Sequence, residues 1–494
     1  MKSPIAELSD LSGLRVTVMG LGLNGGGLAS AAFFASHGSV VTVTDMKDEA
    51  SLAASIKALE GLPIRYVLGR HDLADFEGAD LVIKNPAVRP DSPYLKAARN
   101  LETDISVFLR LSKAPVIAVT GSKGKSTVSS ALYHGFIASG RKAFLGGNIT
   151  VSPLSFIAET TAETPVVLEL SSWQLADLKG LGVLKPRVAV LTSMMPDHMN
   201  RYSSMEEYMA DKRLIYADQD ASCYLVANRD DEWNRSFAAE AKATTAWYGD
   251  KAPAAAAPAH AAVAPSGSAA PAAGGPVAWL EAGTGRGLFS ATGEAARAEE
   301  ILPAELLVPG SHNRKNLLGA ALALRLSGLA ASEVSKAMAS FGGVEHRLER
   351  FATKDGVAWF NDSAATIPQA VAAALGSFEG PVVLITGGTD KNLDFEPARS
   401  AYRKPKAVIL LAGSGTEKLR ALLDADSVPY EGPFTELDPA IRAAMAVAKP
   451  GDTVLLSPGC TSFGMFLHEF DRGNKFKERA RALLDLGDQG QGAR

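Results

Sequence analysis

The segment Val116-Ile-Ala-Val-Thr-Gly-Ser-Lys-Gly-Lys-Ser-Thr127 decides the fold class of this chain. Its apolar, β-branched first half predicts a buried strand, and its Gly/Ser/Lys half predicts a tight loop. Residues 128–138 then have the composition of a helix. In this arrangement, the loop N–H groups and the helix N-terminus surround phosphate oxygens. The segment therefore predicts an α/β domain that binds a nucleotide triphosphate.

The charged and hydroxyl side chains of this loop suit a nucleotide with its metal. Lys125 is placed to neutralise phosphates, and Ser126 or Thr127 to contact Mg²⁺. The spacing is shorter than in the common phosphate-binding loop, because Val119 stands where that loop has its first Gly and the first Gly here is Gly121. This spacing indicates a particular subset of ATP-using enzymes. A turn that only joins a strand to a helix is the alternative interpretation.

Length and composition limit the remaining possibilities. A chain of 494 residues suggests about three domains, and 47% hydrophobic with 21% charged residues is ordinary for a globular protein. A net charge of −4 does not favour a nucleic-acid or membrane partner. The two cysteines lie far apart, and neither a signal peptide nor an apolar run of about 18 residues is evident. We expect a cytoplasmic location.

Strand and helix patterns alternate in three successive series, which predicts parallel sheets. The predicted strands are 14–19, 40–44 and 81–84, then 116–120, 166–170 and 188–192, then 357–360, 382–386, 407–411 and 453–457. We predict an α/β fold with an N-terminal Rossmann-like domain (1–112), a central P-loop-type ATPase domain (113–343) and a C-terminal Rossmann-like domain (344–494). The Ala/Pro-rich tract at about 250–276 is predicted to be a disordered insert.

A second glycine-rich loop, Gly20-Leu-Gly-Leu-Asn-Gly25, follows the first predicted strand. With Asp45 at the end of the next strand, it matches a dinucleotide-binding pattern in which the carboxylate meets a ribose hydroxyl. NAD(P) is one interpretation, and a diphosphate-linked sugar nucleotide uses the same physics. The presence of the Lys125 loop favours the second, because two phosphate-binding loops suit a nucleotide-driven enzyme with a diphosphate substrate.

Further polar residues follow the predicted strands of the central series. Glu169 ends one strand and His198 follows another, so both lie at the carboxyl edge of the sheet, where parallel α/β sheets bind ligands. A buried carboxylate favours a cation such as Mg²⁺. Asn313 and Asn316 lie three residues apart at the start of a helix and suit a base or ribose, with helix capping as the alternative.

Six motifs in this order resemble the Mur ligases, which are ATP-dependent amide-forming ligases of peptidoglycan precursor synthesis; folylpolyglutamate synthases are relatives. The motifs are Gly121-Ser-Lys-Gly-Lys-Ser-Thr127, Glu169-Leu-Ser-Ser-Trp-Gln174, Asp197-His-Met-Asn-Arg-Tyr202, His312-Asn-x-x-Asn316, His346-Arg-x-Glu349 and Asn361-Asp-Ser363. The resemblance covers nearly the whole chain. It implies the branch that adds glutamate to UDP-N-acetylmuramoyl-L-alanine, with D-glutamate expected and L-glutamate left open.

The resemblance also implies cofactors, ATP and Mg²⁺, and a role for each matching residue. Lys125, His198 and Lys212 would be catalytic, and Lys212 stands where the family carries a carbamylated lysine. The metal ligands would be Ser126, Glu169, His198 and Lys212. The ATP site would comprise Gly121, Ser122, Lys123, Gly124, Lys125, Ser126, Thr127, Asn313, Asn316, Arg347 and Asp362. The substrates would contact Leu23, Asn24, Asp45, Lys47, Asn148, Ser171, Thr366, Lys391, Ser462 and Phe463.

The chain departs from the family pattern in the region expected to receive glutamate. Ala364 stands where many relatives have a lysine, and in Glu469-Phe470 the aromatic residue is one step from its place in some relatives. The implied chemistry is an acyl phosphate formed from the substrate carboxylate and ATP. The expected protein is a monomer that takes small-molecule substrates, with neither a nucleic acid nor a membrane as partner. A folylpolyglutamate synthase-like ligase and an NAD(P)-binding protein are the rival interpretations.

Overall fold

The computed structural model describes residues 3–22, 25–86, 88–89, 91–149, 151–197, 199, 201–252, 275–391, 393–462 and 464–486. The chain forms two compact units, residues 1–304 with 315–339 and residues 305–314 with 340–494. The predicted domain bounds at 112/113 and 343/344 stay predictions. The predicted insert at 250–276 falls almost wholly on residues 253–274, which lie outside the described ranges.

A parallel sheet in the order β3-β2-β1-β4-β5 organises the N-terminal part of the first unit. Apolar residues of β1 and β4 fill its core because a sheet covered on both faces buries both sets of side chains. The strands are β1 Arg15–Met19, β2 Val40–Asp45, β3 Ile64–Leu68, β4 Leu81–Lys84 and β5 Leu101–Glu102. The helices are α1 Gly26–Ser36, α2 Glu49–Ala58, α3 Leu73–Glu77, α4 Pro93–Ala97 and α5 Asp104–Leu111.

The rest of the first unit contains the central sheet, in the order β14-β13-β12-β11-β10-β9-β6-β8-β7. It is parallel except where β13 pairs antiparallel with β12 and β14. The strands are β6 Val116–Thr120, β7 Phe144–Gly147, β8 Val166–Glu169, β9 Val188–Leu191, β10 Tyr224–Asn228, β11 Thr244–Gly249, β12 Val277–Leu280, β13 Gly287–Ser290 and β14 Glu299–Leu302. The helices that lie wholly in the first unit are α6 Lys125–Ala138, α7 Ser172–Asp177, α8 Met205–Arg213 and α9 Glu232–Glu240. Helices α10 Ser311–Leu326 and α11 Ala331–Ser340 lie mostly in it.

The second unit contains a third sheet, in the order β15-β16-β20-β17-β18-β19, with only the β15–β16 pair antiparallel among its described strands. Its strands are β15 Glu349–Lys354, β16 Val357–Asn361, β17 Val382–Thr386, β18 Ala407–Leu411, β19 Tyr430–Phe434 and β20 Thr453–Leu456. Its helices are α12 Pro368–Leu375, α13 Ser414–Ala425, α14 Leu437–Val447 and α15 Glu469–Leu483. The predicted α/β fold with three sheets is confirmed.

The long apolar strands agree with the prediction to within about one residue at each end. The nucleotide-loop helix begins at Lys125, three residues earlier than its apolar pattern predicts, because Gly124 takes the left-handed conformation (φ +92°) directly before it. Within the described ranges, no helix combines the length and the apolar character that crossing a bilayer requires.

Candidate functional site

The loop between β6 and α6 forms the centre of the site. Lys125 folds back over it, and its Nζ donates hydrogen bonds to the carbonyl oxygens of Gly121 (3.0 Å) and Ser122 (3.1 Å). Ser126 and Thr127 follow in the first helical turn and remain partly exposed. The loop therefore presents an ammonium group, two hydroxyls and the positive end of a helix together, which is a binding site for phosphate oxygens.

The walls of this loop leave no room for side chains at two glycines. A Cβ on Gly121 would lie 1.9 Å from Oγ1 of Thr192 at the end of β9. A Cβ on Gly124 would lie 2.5 Å from Oδ1 of Asn316, which is buried on α10. The predicted ATP residues Gly124 and Asn316 are thus in contact, whereas Thr192 was not predicted. Its signal in the sequence is only a hydroxyl at the end of an apolar strand.

Lys212 on α8 reaches the same loop from the other side. The side chain is 1% exposed, and its Nζ donates a hydrogen bond to the Gly121 carbonyl oxygen at 2.8 Å. Burial, helped by the charge of Lys125, lowers the pKa of Lys212 to about 7. A large share of this amine is therefore neutral and nucleophilic at neutral pH, in contrast to an ordinary surface lysine.

Glu169 lies at the end of β8, beside the loop, and is 1% exposed. Its carboxylate oxygens accept hydrogen bonds from Nδ2 of Asn148 (3.0 Å) and from Oγ of Ser129 (3.2 Å). Both donors are neutral, so the buried negative charge is suited to a cation. Ser129 was not predicted, although it lies one helical turn after Lys125. Ser171 caps α7 by accepting a hydrogen bond from the N–H of Gln174.

The Gly20 loop is built around a carboxylate. One oxygen of Asp45 accepts from the N–H groups of Leu21 (2.9 Å) and Gly22 (3.2 Å), and the other accepts from the N–H of Lys47 (2.9 Å). A carboxylate has about four acceptor positions, so about one remains for a ligand hydroxyl. The Lys47 side chain is exposed beside this loop. The predicted ribose contact of Asp45 stays a prediction.

Two predicted ATP residues, Arg347 and Asp362, lie together in the second unit. Asp362 is buried, and its carboxylate accepts from Oγ of Ser457 (2.7 Å) and from the N–H of Leu348 (3.1 Å). Burial raises the pKa of Asp362 to about 6, against the opposing effects of Ser457, Leu348 and the Arg347 charge. Asn313, also predicted for ATP, donates from Nδ2 to the Pro309 carbonyl at 2.7 Å.

The residues predicted to receive glutamate belong to neighbouring loops of the second unit. The backbones of Thr389 and Thr461 pair, which brings the loop of Lys391 beside Ser462. Ser462 is 4% exposed, and its Oγ has no hydrogen-bond partner among the described residues. Thr366 is partly exposed and Lys391 is exposed.

A buried guanidinium to which the sequence analysis assigned no role supports this region. Arg472 donates to the Oγ and the carbonyl of Ser363, both at 2.9 Å, and to the carbonyl of Cys460 at 3.2 Å. Burial lowers its pKa to about 10. Arg472 thus connects the segment before Ala364 to the segment that leads to Ser462.

Four predicted site residues lie outside the described ranges: Leu23, Asn24, His198 and Phe463. Their roles stay predictions. Among the described residues there is no group of three or more His, Cys, Asp or Glu side chains that could hold a metal.

Three family models match this chain in succession. The Mur ligase MurD-like N-terminal domain matches residues 14–107, the Mur ligase middle domain matches 119–324, and the Mur ligase glutamate ligase domain matches 346–460. The first match contains the Gly20 loop and Asp45. The second contains the Lys125 loop, Glu169 and Lys212.

Curated relatives are similar to this chain over almost their whole length. The UDP-N-acetylmuramoylalanine–D-glutamate ligase of Treponema pallidum is 41% identical over 96% of this chain and 99% of that protein. The ligase of the same name from Roseiflexus sp. is 41% identical over 94% and 98%. In Borreliella afzelii the identity is 37% over 97% and 99%.

Solved structures share the fold at much lower identity. The UDP-N-acetylmuramate-alanine ligase of Thermotoga maritima superposes with a TM-score of 0.54 at 20% identity, covering 95% of this chain and 100% of that one. MurF from Acinetobacter baumannii gives a TM-score of 0.52 at 13% identity, with coverages of 95% and 94%. At these identities the likeness concerns the fold alone.

Proposed function

The chain belongs to the Mur ligase family of ATP-dependent, amide-forming ligases, and we propose that it joins D-glutamate to UDP-N-acetylmuramoyl-L-alanine. The names of the relatives from Treponema pallidum, Roseiflexus and Borreliella afzelii support this choice of substrates. The product would be a precursor of peptidoglycan, made in the cytoplasm by a monomeric enzyme.

The observation that carries the proposal is the convergence of two lysines on one carbonyl. Nζ of Lys125 and Nζ of Lys212 lie 3.0 and 2.8 Å from the oxygen of Gly121, at the N-terminus of α6. Two anions must meet in the first step, the γ-phosphate of ATP and the substrate carboxylate. Lys125 and the N-terminus of α6 hold positive charge in place before the anions bind, and this lowers the barrier to their encounter, while Lys212 is the neutral amine available for modification.

In the first step, a carboxylate oxygen of UDP-N-acetylmuramoyl-L-alanine attacks the γ-phosphorus, and the bond to the β-phosphate oxygen breaks. ADP leaves and an acyl phosphate forms. Lys125 would stabilise the negative charge as it moves from the γ-phosphate to the leaving ADP. The loop amides would hold the phosphates in line.

In the second step, the amine of glutamate attacks the acyl carbon, and phosphate leaves with the electron pair of its C–O bond. The amine has to be neutral before it attacks, so it gives up a proton to a base. His198 is our candidate for this base if it holds no metal. Thr366, Lys391, Ser462 and Phe463 would bind the carboxylates and the ammonium group of the incoming glutamate.

Mg²⁺ suits the donors at this loop, because a nucleotide-bound Mg²⁺ needs only one or two protein carboxylates and takes its other oxygens from phosphates and water. Ser126 and Glu169 would hold it, together with His198 and modified Lys212. The neutral hydrogen-bond donors around the buried Glu169 fit this role. The ion would supply positive charge against the phosphate oxygens.

Lys212 fits the expected carbamylation. The reaction joins its amine nitrogen to the carbon of CO₂ and releases a proton, so it requires a neutral amine. Burial favours that form by lowering the pKa of Lys212 to about 7. The product is a carboxylate at the end of a lysine, which would be a metal ligand where an ammonium group could not be one.

The remaining residues would bind the nucleotide ends of the two substrates. Asp45, Lys47, Leu23 and Asn24 would hold the UDP portion in domain 1–112, and Asn148 and Ser171 would contact the sugar-peptide end. In domain 113–343, residues 121–127 with Asn313 and Asn316 would bind ATP, together with Arg347 and Asp362 from domain 344–494.

The test is a phosphate-release assay with purified protein, ATP, Mg²⁺ and UDP-N-acetylmuramoyl-L-alanine. We expect release with D-glutamate and at most about one hundredth of that rate with L-glutamate, L-aspartate or glycine, because acceptor sites that hydrogen-bond their substrate reject mismatched groups strongly. Omission of the UDP substrate provides the background. Preference for L-glutamate would refute the stereochemical part, and release that does not depend on any amino acid would refute the ligase.

A further inference from the structure

A buried ion pair joins the first sheet to the central sheet. Lys84 ends β4, its side chain is 3% exposed, and Nζ is hydrogen-bonded to Oδ1 of Asp177 on α7. The side chain of Asp177 is only 12% exposed, and its Oδ2 is buried without a hydrogen-bond partner among the described residues. Lys84 therefore compensates a carboxylate that belongs to the neighbouring domain.

Lys84 is also linked to the Gly20 loop, which is assigned to the UDP substrate. Lys84 pairs with Met19 in the register of β4 and β1, and the next residue after Met19 is Gly20. The side chain of Asn85, the residue after Lys84, lies against Gly20, where a Cβ would be 3.5 Å away. A displacement of Lys84 would thus be transmitted directly to the base of the Gly20 loop.

The helix that carries Asp177 is linked to the loop assigned to ATP, residues 121–127. Helix α7 starts two residues after Leu170, at the end of the strand that carries Glu169. It packs against α8, on which Asp211 accepts a hydrogen bond from the hydroxyl of Tyr202 at 2.8 Å. The next residue on α8 is Lys212, whose Nζ binds Gly121 of the loop. Asp177 is therefore connected to both sides of the phosphate site.

Stability alone gives little reason for this pair. Removing two charges from water is costly, and apolar residues of similar size stabilise a fold as well or better. An ion pair fixes the relative position of the two elements that carry it, because Nζ and a carboxylate oxygen have to meet. Apolar side chains allow the same elements to slide past one another. The pair lies where the two substrate-binding domains meet, so it can fix the position of one domain relative to the other.

We propose that Lys84 and Asp177 are positioning residues that hold the UDP-substrate loop in register with the ATP loop, so that the substrate carboxylate meets the γ-phosphate. This inference rests on the proposed function. Each domain can bind its own ligand without the pair. Only the joint step needs the register, and a misplacement of about 1 Å costs about a hundredfold in rate.

The test compares variants of this pair with variants of a matched pair. The matched pair is Arg15, at the start of β1, and Asp80, the residue before β4; it lies at the opposite end of β4 from Lys84, and the Arg15 side chain is 55% exposed. For Lys84→Met and Asp177→Asn we expect kcat to fall about 10- to 100-fold. Calorimetric Kd values for ADP and for UDP-N-acetylmuramoyl-L-alanine should change less than about threefold. Arg15→Met and Asp80→Asn should leave all three quantities unchanged, and Lys84→Arg should restore most of kcat.

Two further measurements separate register from folding and from the proposed activity. The double variant Lys84→Met/Asp177→Leu removes both charges and should fold even if a single variant does not; we expect its kcat to stay low. Hydrogen exchange measured by mass spectrometry needs no substrate, and residues 172–177 should exchange faster in Lys84→Met than in Arg15→Met. Wild-type kcat in the double variant, or equal exchange in the two single variants, would overturn the proposal. A wild-type enzyme without glutamate-dependent phosphate release would contradict the proposed function, and the exchange data would still decide the role of the pair.

Discussion

The two glycine-rich loops of the first unit have the same architecture and opposite electrostatics. Each follows a parallel strand, contains glycines with positive φ, and leads into a helix. In the Gly20 loop, N–H groups already donate to the carboxylate of Asp45. In the Gly121 loop (residues 121–127), the carbonyl oxygen of Gly121 already accepts hydrogen bonds from Nζ of Lys125 and Nζ of Lys212.

This contrast explains why one architecture can serve two ligands. A loop whose nearest charge is an acid has fewer amides to offer and suits a ligand that also brings hydroxyls, such as a nucleoside diphosphate sugar. A loop that holds the ammonium group of Lys125 at a helix N-terminus suits a triphosphate in which negative charge accumulates during transfer. The glycines make both loops tight, and the charges in contact with them decide what each one binds.

Among the substitutions that test this contrast, removal of the Lys125 side chain should have the largest effect on kcat. We expect Lys125→Ala to lower kcat for phosphate release by about 10²- to 10³-fold, because the charge that follows the γ-phosphate is lost. The matched control is Lys142→Ala, beyond the other end of α6, where the lysine forms an exposed ion pair with Glu159 (58% and 61% exposed). Undiminished turnover in Lys125→Ala would contradict the role of this loop.

Lys212 makes the Gly121 loop sensitive to pH and to CO₂. An ordinary lysine with a pKa of 10.5 is neutral in roughly one molecule in three thousand at pH 7, whereas about half of Lys212 is neutral there. Carbamate at this residue should therefore increase as the pH rises through about 7. We expect a carbamate signal in ¹³C NMR with labelled bicarbonate, its absence in Lys212→Met, and a kcat about 10²-fold lower in that variant. A signal of equal size in Lys212→Met would assign the carbamate to another amine.

The strands of both loops could be predicted from sequence, because each is rich in β-branched residues and is followed directly by a glycine-rich loop. Val116–Thr120 was predicted with its observed bounds. Strands such as Ile64–Leu68 and Thr244–Gly249, in which polar and apolar residues mix, escaped prediction. Their side chains are partly exposed, so they lack the continuous apolar run that identifies a buried parallel strand.

The charges that distinguish the loops were predicted as residues but not as contacts. Lys212 reaches Gly121 across 91 positions of sequence, and the family resemblance alone drew attention to it. For Asp45, the spacing predicted a ligand contact, while the structure adds three hydrogen bonds that its carboxylate accepts from backbone N–H groups of other residues. Such contacts depend on which strands become neighbours, and a local pattern contains no such information.

The Gly20 loop packs closely against α1. This packing predicts that alanine at Gly26 and alanine at Gly27 change the free energy of unfolding by different amounts. A Cβ on Gly27 would lie 1.9 Å from the carbonyl oxygen of Gly20, a backbone atom that cannot move without the loop. We expect Gly27→Ala to lower the free energy of unfolding by about 2–3 kcal/mol. A Cβ on Gly26 meets nothing nearer than an oxygen of Asp104 at 3.8 Å, so Gly26→Ala should be neutral or stabilise by up to about 1 kcal/mol. Chemical denaturation monitored by circular dichroism would measure both, and equal effects would contradict the close approach of loop and helix.

Asp45→Asn should give the smallest effect and tests what the acid in the first loop does. An amide has one acceptor oxygen where the carboxylate uses two, so it can keep the bonds from Leu21 and Gly22 or the bond from Lys47, but not all three. We expect the Kd for UDP-N-acetylmuramoyl-L-alanine to rise about tenfold, or about 1.4 kcal/mol, with the Kd for ADP unchanged, as measured by calorimetry. Asp48→Asn is the control, because Asp48 caps α2 from an exposed position and asparagine caps a helix equally well. If Asp45→Asn weakened both ligands alike, the two loops would not be independent, and the contrast between an acid-centred loop and a cation-centred loop would lose its functional meaning.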